Sequence, residues 1–167
     1  PICLETTDLP CLVVGGGNVA ARKVRTLLEY GARVTVVTPE AVEAIQKFAE
    51  SSRIELHLRA YESGDLEGVR LVFVATDRPE VNERITTEAR SRGILINVVD
   101  VPAQCDFIVP SIVQRGPLMV AISTSGACPA FSKRLRRQLE VQFDMAYAEY
   151  VEMLRDLRRE IIERTKD

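Results

Sequence analysis

Between Cys11 and Val99, short apolar runs alternate with stretches whose apolar positions recur every three or four residues. Cys11-Leu12-Val13-Val14 is followed by helical periodicity from about Val19 to Tyr30, ended by Gly31, and then by Arg33-Val34-Thr35-Val36-Val37. The pattern predicts a strand, a helix and a second strand. Pro39 stands at a favoured first helical position and predicts a second helix there. Ile54 to Leu58 reads as a strand, Leu71 to Ala75 as a buried one, Pro79 to Ser91 as a helix and Ile94 to Val99 as a further strand. Runs apolar on both faces and separated by helices require a sheet covered on both sides. The expected fold is α/β, with a Rossmann-like parallel sheet.

After Asp100 the rhythm changes. Phe107-Ile108-Val109 and Leu118 to Ile122 flank Gln114-Arg115-Gly116-Pro117, whose composition is that of a turn, so a hairpin is expected here instead of another strand-helix-strand unit. From Pro129 onward a long helical pattern runs to the end. Within it Phe143, Tyr147, Tyr150, Leu154, Leu157 and Ile161 form a heptad-like seam, suited either to a packed intramolecular helix or to a coiled-coil dimer.

The 22 Lys and Arg against 24 Asp and Glu give a net charge of −2, which argues against a generally basic nucleic-acid binder. No apolar stretch approaches the ~20 residues of a membrane span, and no signal-peptide pattern opens the chain. Cys3, Cys11, Cys105 and Cys128 are isolated and His57 is the sole histidine, so no permanent metal site is expected. Reduced thiols and a cytoplasmic location follow. Cys105 and Cys128 read best as small apolar residues and His57 as structural.

Gly15-Gly16-Gly17-Asn18-Val19-Ala20 lies between the first strand and the first helix, and Gly15, Gly17 and Ala20 fit the dinucleotide pattern G-x-G-x-x-G/A. Such glycines permit a tight turn and let backbone N–H groups approach a pyrophosphate at a helix N-terminus. The acid that grips the adenosine ribose is replaced at the end of the second strand by Thr38, with Glu40 two residues on. Glu40 serves equally well as an N-terminal helix acid. Ligands of open α/β sheets sit beyond the carboxyl ends of the strands, which places Thr76, Asp77 and Asp100 at the cofactor crevice. Asp77 also suits a helix cap. Asp100 follows a buried run and has no helix to cap.

With the stretch from Gly15 to Lys23, Ala75-Thr76-Asp77, Asn97-Val98-Val99-Asp100, Phe107 to Ser111, and Pro117 to Gly126 followed by Pro129, the sequence resembles the siroheme synthase dehydrogenase and chelatase family over most of residues 10 to 140. The resemblance implies NAD-dependent oxidation of precorrin-2 to sirohydrochlorin and, in bifunctional members, insertion of ferrous iron to give siroheme. It implies a homodimer with a dinucleotide domain over residues 1–109, a dimerisation segment over 110–141 and a helical C-terminal part over 142–167. That helical part is shorter than is usual for the family, as a truncated chain or a cleft lacking part of its wall would be. A methyltransferase of the same pathway, fused or separate, is an implied partner. Carried over by position, Asn18 and Val19 meet the cofactor at the turn, Pro39 and Glu40 lie beside its adenosine end, and Asp100 is the key aspartate of both reactions. Thr124 takes the place of a serine beside the tetrapyrrole.

Hydride removal needs a positioned nicotinamide and at most one base, a part that Asp100 can take. In metal insertion the same carboxylate can accept a pyrrole proton and guide the cation transiently. A polycarboxylate tetrapyrrole calls for hydroxyls and cations, with Ser111, Arg115, Ser123, Thr124, Ser125, Lys133, Arg134 and Arg137 as candidates. Lys133 to Arg137 also fits a solvated helix face. Two alternatives stand beside the bifunctional reading: a dehydrogenase with a separate chelatase, and a non-catalytic module that senses NAD and gates a partner.

Overall fold

The computed structural model describes residues 2–165, so position 1 and positions 166–167 of the expected parts lie outside the described residues. Five strands, β1 (Pro10–Val14), β2 (Arg33–Thr38), β3 (Ile54–Leu58), β4 (Leu71–Val74) and β5 (Leu95–Val98), form a parallel sheet in the order β3-β2-β1-β4-β5. The Rossmann-like expectation holds. Chain order reverses between β1 and β4, so the crevice that takes a ligand in such sheets opens at the carboxyl ends of these two strands.

Alternation within the strands sorts the core into two layers. Val13, Val36 and Phe73 face α1 (Asn18–Glu29) and α2 (Glu43–Glu50), where Ala20, Val24, Leu27 and Ile45 are buried. Leu12, Val14, Val72, Val74 and Ile96 face the other way, onto Ile85 and Ala89 of α3 (Pro79–Ser91). No helix joins β3 to β4. A 3₁₀ turn, Ser63–Leu66, stands in its place and buries Leu66 against that second layer.

Pro39 does not begin the second helix. The helix starts at Glu43, because residues 38–42 are committed to the glycine turn: the Thr38 hydroxyl donates to the Glu40 carbonyl at 2.7 Å and the Val42 N–H to the Gly16 carbonyl at 2.9 Å.

The chain divides into two compact units, one up to Phe107 and one from Ile108. In the second, β6 (Ser111–Arg115) pairs antiparallel with β7 (Leu118–Ile122) around a two-residue turn, with Gly116 at φ +52°. The hairpin is present, but its first strand starts at Ser111 and absorbs Gln114 and Arg115. Phe107 instead packs edge-on against Phe73, with ring centroids 5.4 Å apart.

The long helical pattern is two helices, α4 (Pro129–Gln142) and α5 (Ala146–Arg164), broken at Phe143, where the Asp144 carboxylate accepts from the Ala146 N–H at 3.0 Å. The packed-helix reading of the seam fails, since α5 buries none of its residues and Tyr150, Leu154, Leu157 and Ile161 are all exposed.

Candidate active site

The three glycines after β1 have three different surroundings. Gly15, at φ +127°, donates its N–H to the Val37 carbonyl at 3.0 Å, and a Cβ there would meet the Ala75 carbonyl oxygen at 2.3 Å. At Gly16 an added Cβ would lie 1.7 Å from the Glu40 carbonyl oxygen. Around Gly17 nothing comes within 4 Å of such a Cβ. Two glycines are thus required by the protein's own backbone, and the third leaves a bare approach to the start of α1. No side chain caps that helix end, and Asn18 and Val19 form its first turn. Uncapped N–H groups behind a bare glycine are what a pyrophosphate needs, so the turn fits a dinucleotide.

Beside it lies a cavity of about 500 Å³, lined among others by Val19, Thr76, Asp77, Asn82, Asp100 and Gln104. The Thr76 hydroxyl donates to Asn82 Oδ1 at 2.6 Å, Asn82 Nδ2 donates to the Thr76 carbonyl at 3.2 Å, and the Arg78 N–H reaches the Thr76 hydroxyl at 3.2 Å. The loop after β4 is therefore braced from within. Asp77 caps no helix: α3 has Arg78 at its N-cap and no side-chain cap bond. Gln104 Oε1 is buried and, among the described residues, has no hydrogen-bond partner. An unpaired buried acceptor costs about 1–3 kcal/mol.

Asp100 is exposed and left-handed, at φ +61°, in the turn that follows β5. Left-handed backbone costs a non-glycine residue about 1–2 kcal/mol, least for Asp and Asn.

Asn82, Gln104 and Lys23 escaped the sequence reading. Asn82 shares a spacing of three, four and seven with Ile85, Thr86 and Ala89, all buried, so it is a polar residue on the apolar stripe of α3. Lys23 interrupts the stripe of Ala20, Val24 and Leu27 in the same way. Its ammonium lies 5.3 Å from the centre of the Phe73 ring. Burial, with Arg22 beside it, holds its pKa below the ordinary lysine value, while Cys105 and the Asp100 carboxylate pull it the other way. No such signal marks Gln104. Cys11 is no candidate nucleophile, because burial pushes its thiol up to about 11.

Thr38 is buried and spent on the Glu40 carbonyl, whereas the Pro39 and Glu40 side chains are exposed beside the glycine turn. In the second unit, Ser123, Thr124 and Ser125 make the loop before α4. The Thr124 hydroxyl accepts from the Cys128 N–H at 3.0 Å and lies 3.3 Å from that of Ser132. Ser111 opens β6, and Lys133, Arg134 and Arg137 lie exposed on α4.

Arg115 has a structural task of its own. Its guanidinium donates to the carbonyls of Phe143 at 2.7 Å and Glu140 at 2.9 Å, closing the C-terminal end of α4. Arg115→Ala is expected to lower stability by about 2 kcal/mol, the scale of charge-assisted hydrogen bonds. Arg115→Lys should recover less than half of it, since an ammonium lacks the fork. Thermal unfolding checks both.

Sheet order, glycine turn and crevice together define a dinucleotide-binding α/β protein. The model of a family described as "Putative NAD(P)-binding" matches residues 2–111, and that of the "Sirohaem biosynthesis protein central" matches residues 115–142. The chain belongs to this NAD(P)-binding family. It is 44% identical over 161 residues to the siroheme synthase of Methylococcus capsulatus, covering 96% of this chain and 34% of that protein. With the siroheme synthase of Pseudoalteromonas atlantica it shares 48% over 140 residues, 84% of this chain and 30% of that protein. The chain thus spans about a third of the length of these relatives. Among solved structures, "SirC, precorrin-2 dehydrogenase" superposes with a TM-score of 0.81 at 28% identity, over 95% of this chain and 78% of that one.

Proposed function

We propose that this chain oxidises precorrin-2 to sirohydrochlorin with NAD in siroheme biosynthesis. The observation that carries this reading is the placement of Asp100, an acid held at the rim of the cavity that adjoins the dinucleotide turn. The likeness to a solved precorrin-2 dehydrogenase over nearly the whole chain supports the choice of substrate.

Gly17 with the first turn of α1 at Asn18 and Val19 would hold the pyrophosphate, over a turn that Gly15 keeps tight; Pro39 and Glu40 would flank the adenosine end, and Thr76 and Asp77 would form the wall on the β4 side. Bound NAD supplies the two-electron hydride acceptor. Oxidation takes one hydride and one proton from the tetrapyrrole. The Asp100 carboxylate takes the proton and releases it to solvent, for which its exposed position is suited. Ser111, Ser123, Thr124, Ser125 and Lys133 are the groups of the second unit that we assign to the substrate's carboxylates. Arg115 is left out of that set because its Nε, Nη1 and Nη2 each already donate to a main-chain carbonyl.

Ferrous iron insertion belongs to the same reading as an optional second reaction at Asp100, in keeping with the curated relatives' names. A homodimer is supported by the exposed seam on α5, and segment 110–141 is its proposed core. A cytoplasmic site of action agrees with four unpaired cysteines.

The test is an anaerobic incubation with precorrin-2 and NAD, following NADH and the tetrapyrrole spectrum, with ferrous iron added afterwards. NADH together with sirohydrochlorin is the expected result, and iron insertion faster than the uncatalysed rate would add the chelatase. NAD binding without turnover would overturn the enzyme reading in favour of a sensor.

A further inference from the structure

Strand β5 is an open edge of the sheet, so the outward N–H and C=O groups of alternate residues along it require partners. Among the described residues no sixth strand provides them. Ile96 is served by Asp106, whose carboxylate accepts from the Ile96 N–H at 3.2 Å and whose N–H donates to the Ile96 carbonyl at 2.8 Å. Val98 is served by Cys105: the Val98 N–H donates to Sγ at 3.3 Å, and the thiol donates to the Val98 carbonyl at 3.1 Å.

Between Val98 and Cys105 the chain leaves the edge and returns, carrying Asp100 on the way. One side of this excursion is tied by main-chain bonds, Val99 N–H to the Val74 carbonyl at 2.9 Å and Val101 N–H to the Val98 carbonyl at 3.3 Å. The other side is tied by sulfur. The Val101 carbonyl lies 3.4 Å from Sγ as a second acceptor, and Asn97 Nδ2 donates to the sulfur at 3.6 Å. One thiol therefore touches the residues on both sides of the Val99-Asp100 pair, and a left-handed aspartate persists only where its surroundings impose it.

We propose that Cys105 is a positioning residue, whose thiol holds the 98–101 turn so that the Asp100 carboxylate stands at the rim of the cavity. It acts on turnover through Asp100 and not on cofactor binding. The inference rests on the reading in which Asp100 takes the substrate's proton, and it departs from the expectation that Cys105 merely fills space.

The test uses the full chain and four variants: Cys105→Ala, Cys105→Ser, Asp100→Asn and the double Cys105→Ala/Asp100→Asn. NAD affinity is read by titration, and kcat and KM for precorrin-2 by NADH formation. Cys105→Ala is expected to bind NAD within about twofold of the parent and to lose about tenfold or more in kcat, the scale on which a misplaced reacting group is felt. Cys105→Ser, whose hydroxyl can serve the same carbonyls, should recover most of that loss. In the Asp100→Asn background Cys105→Ala should cost nothing more. Unchanged kcat in Cys105→Ala would overturn the proposal, as would the same fractional loss in both backgrounds or a serine variant no better than alanine. Should Cys105→Ala fail to fold, Cys105→Val keeps the volume without a donor and takes its place. Full turnover in Asp100→Asn would instead remove the underlying role of Asp100.

Discussion

Asp100→Asn is expected to fold, to bind NAD as tightly as the parent and to turn over precorrin-2 about 10²- to 10³-fold more slowly, within the range usual for loss of a general base. The substitution suits the question because asparagine, like aspartate, tolerates the left-handed backbone found here at φ +61°. Volume and conformation are kept, while the negative charge and with it the capacity to accept a proton are lost. Asp100→Gly tests the other half of the argument: it relieves the backbone and removes the carboxylate, so it should match or exceed the parent in stability while sharing the catalytic defect. NADH formation under saturating NAD, with a cofactor titration and a thermal melt on each variant, separates the effects. Turnover within tenfold of the parent in Asp100→Asn would mean that water or another group takes the proton.

The parallel sheet was legible because its central strands β1 and β4 are apolar on both faces and its helices keep a 3.6-residue period, two patterns that survive local irregularity. Three expectations failed where specific hydrogen bonds or a ring contact, local or tertiary, outweighed the pattern. Pro39 suits a helix start, yet the bond from Val42 to the Gly16 carbonyl and that from Thr38 to the Glu40 carbonyl hold the segment extended. Phe107 lies in an apolar run that suits a strand, but its ring is drawn onto Phe73 and its carbonyl onto Asn97 Nδ2 at 2.9 Å. The helical period runs unbroken across Phe143, and periodicity alone carries no mark of the interruption that Asp144 caps. At the site, the glycines and Asp100 could be found because their types and spacing carry the chemistry. Asn82 and Lys23 left a trace, as polar residues on apolar stripes. The bonds of Cys105 left none, because a thiol among apolar neighbours reads as packing until the strand edge it serves is seen.

The neighbouring glycines give the second large prediction, in which fold and binding come apart. At Gly16 an added Cβ would meet the Glu40 carbonyl oxygen at 1.7 Å, the Thr38 hydroxyl at 2.6 Å and the Glu40 carbonyl carbon at 2.8 Å. Two of the three are backbone atoms of a segment already tied to the turn, so no rotamer change relieves the overlap. Gly16→Ala must displace residues 39–41 and break the Val42 bond, at about 3 kcal/mol or more, the upper part of the range for overpacking. For a chain of this length that corresponds to a fall in Tm of about 6–12 °C. Gly17→Ala meets no atom within 4 Å and starts from φ −83°, so its Tm should stay within about 2 °C of the parent. Its methyl group enters the bare approach to the N-terminus of α1, and NAD affinity should fall at least tenfold, about 1.4 kcal/mol of lost binding. A Gly17→Ala protein with unchanged melting and unchanged NAD affinity would show that the pyrophosphate does not pass over this turn. The reverse pairing of effects, with Gly16→Ala stable and Gly17→Ala unfolded, would contradict the contacts drawn for residues 38–42.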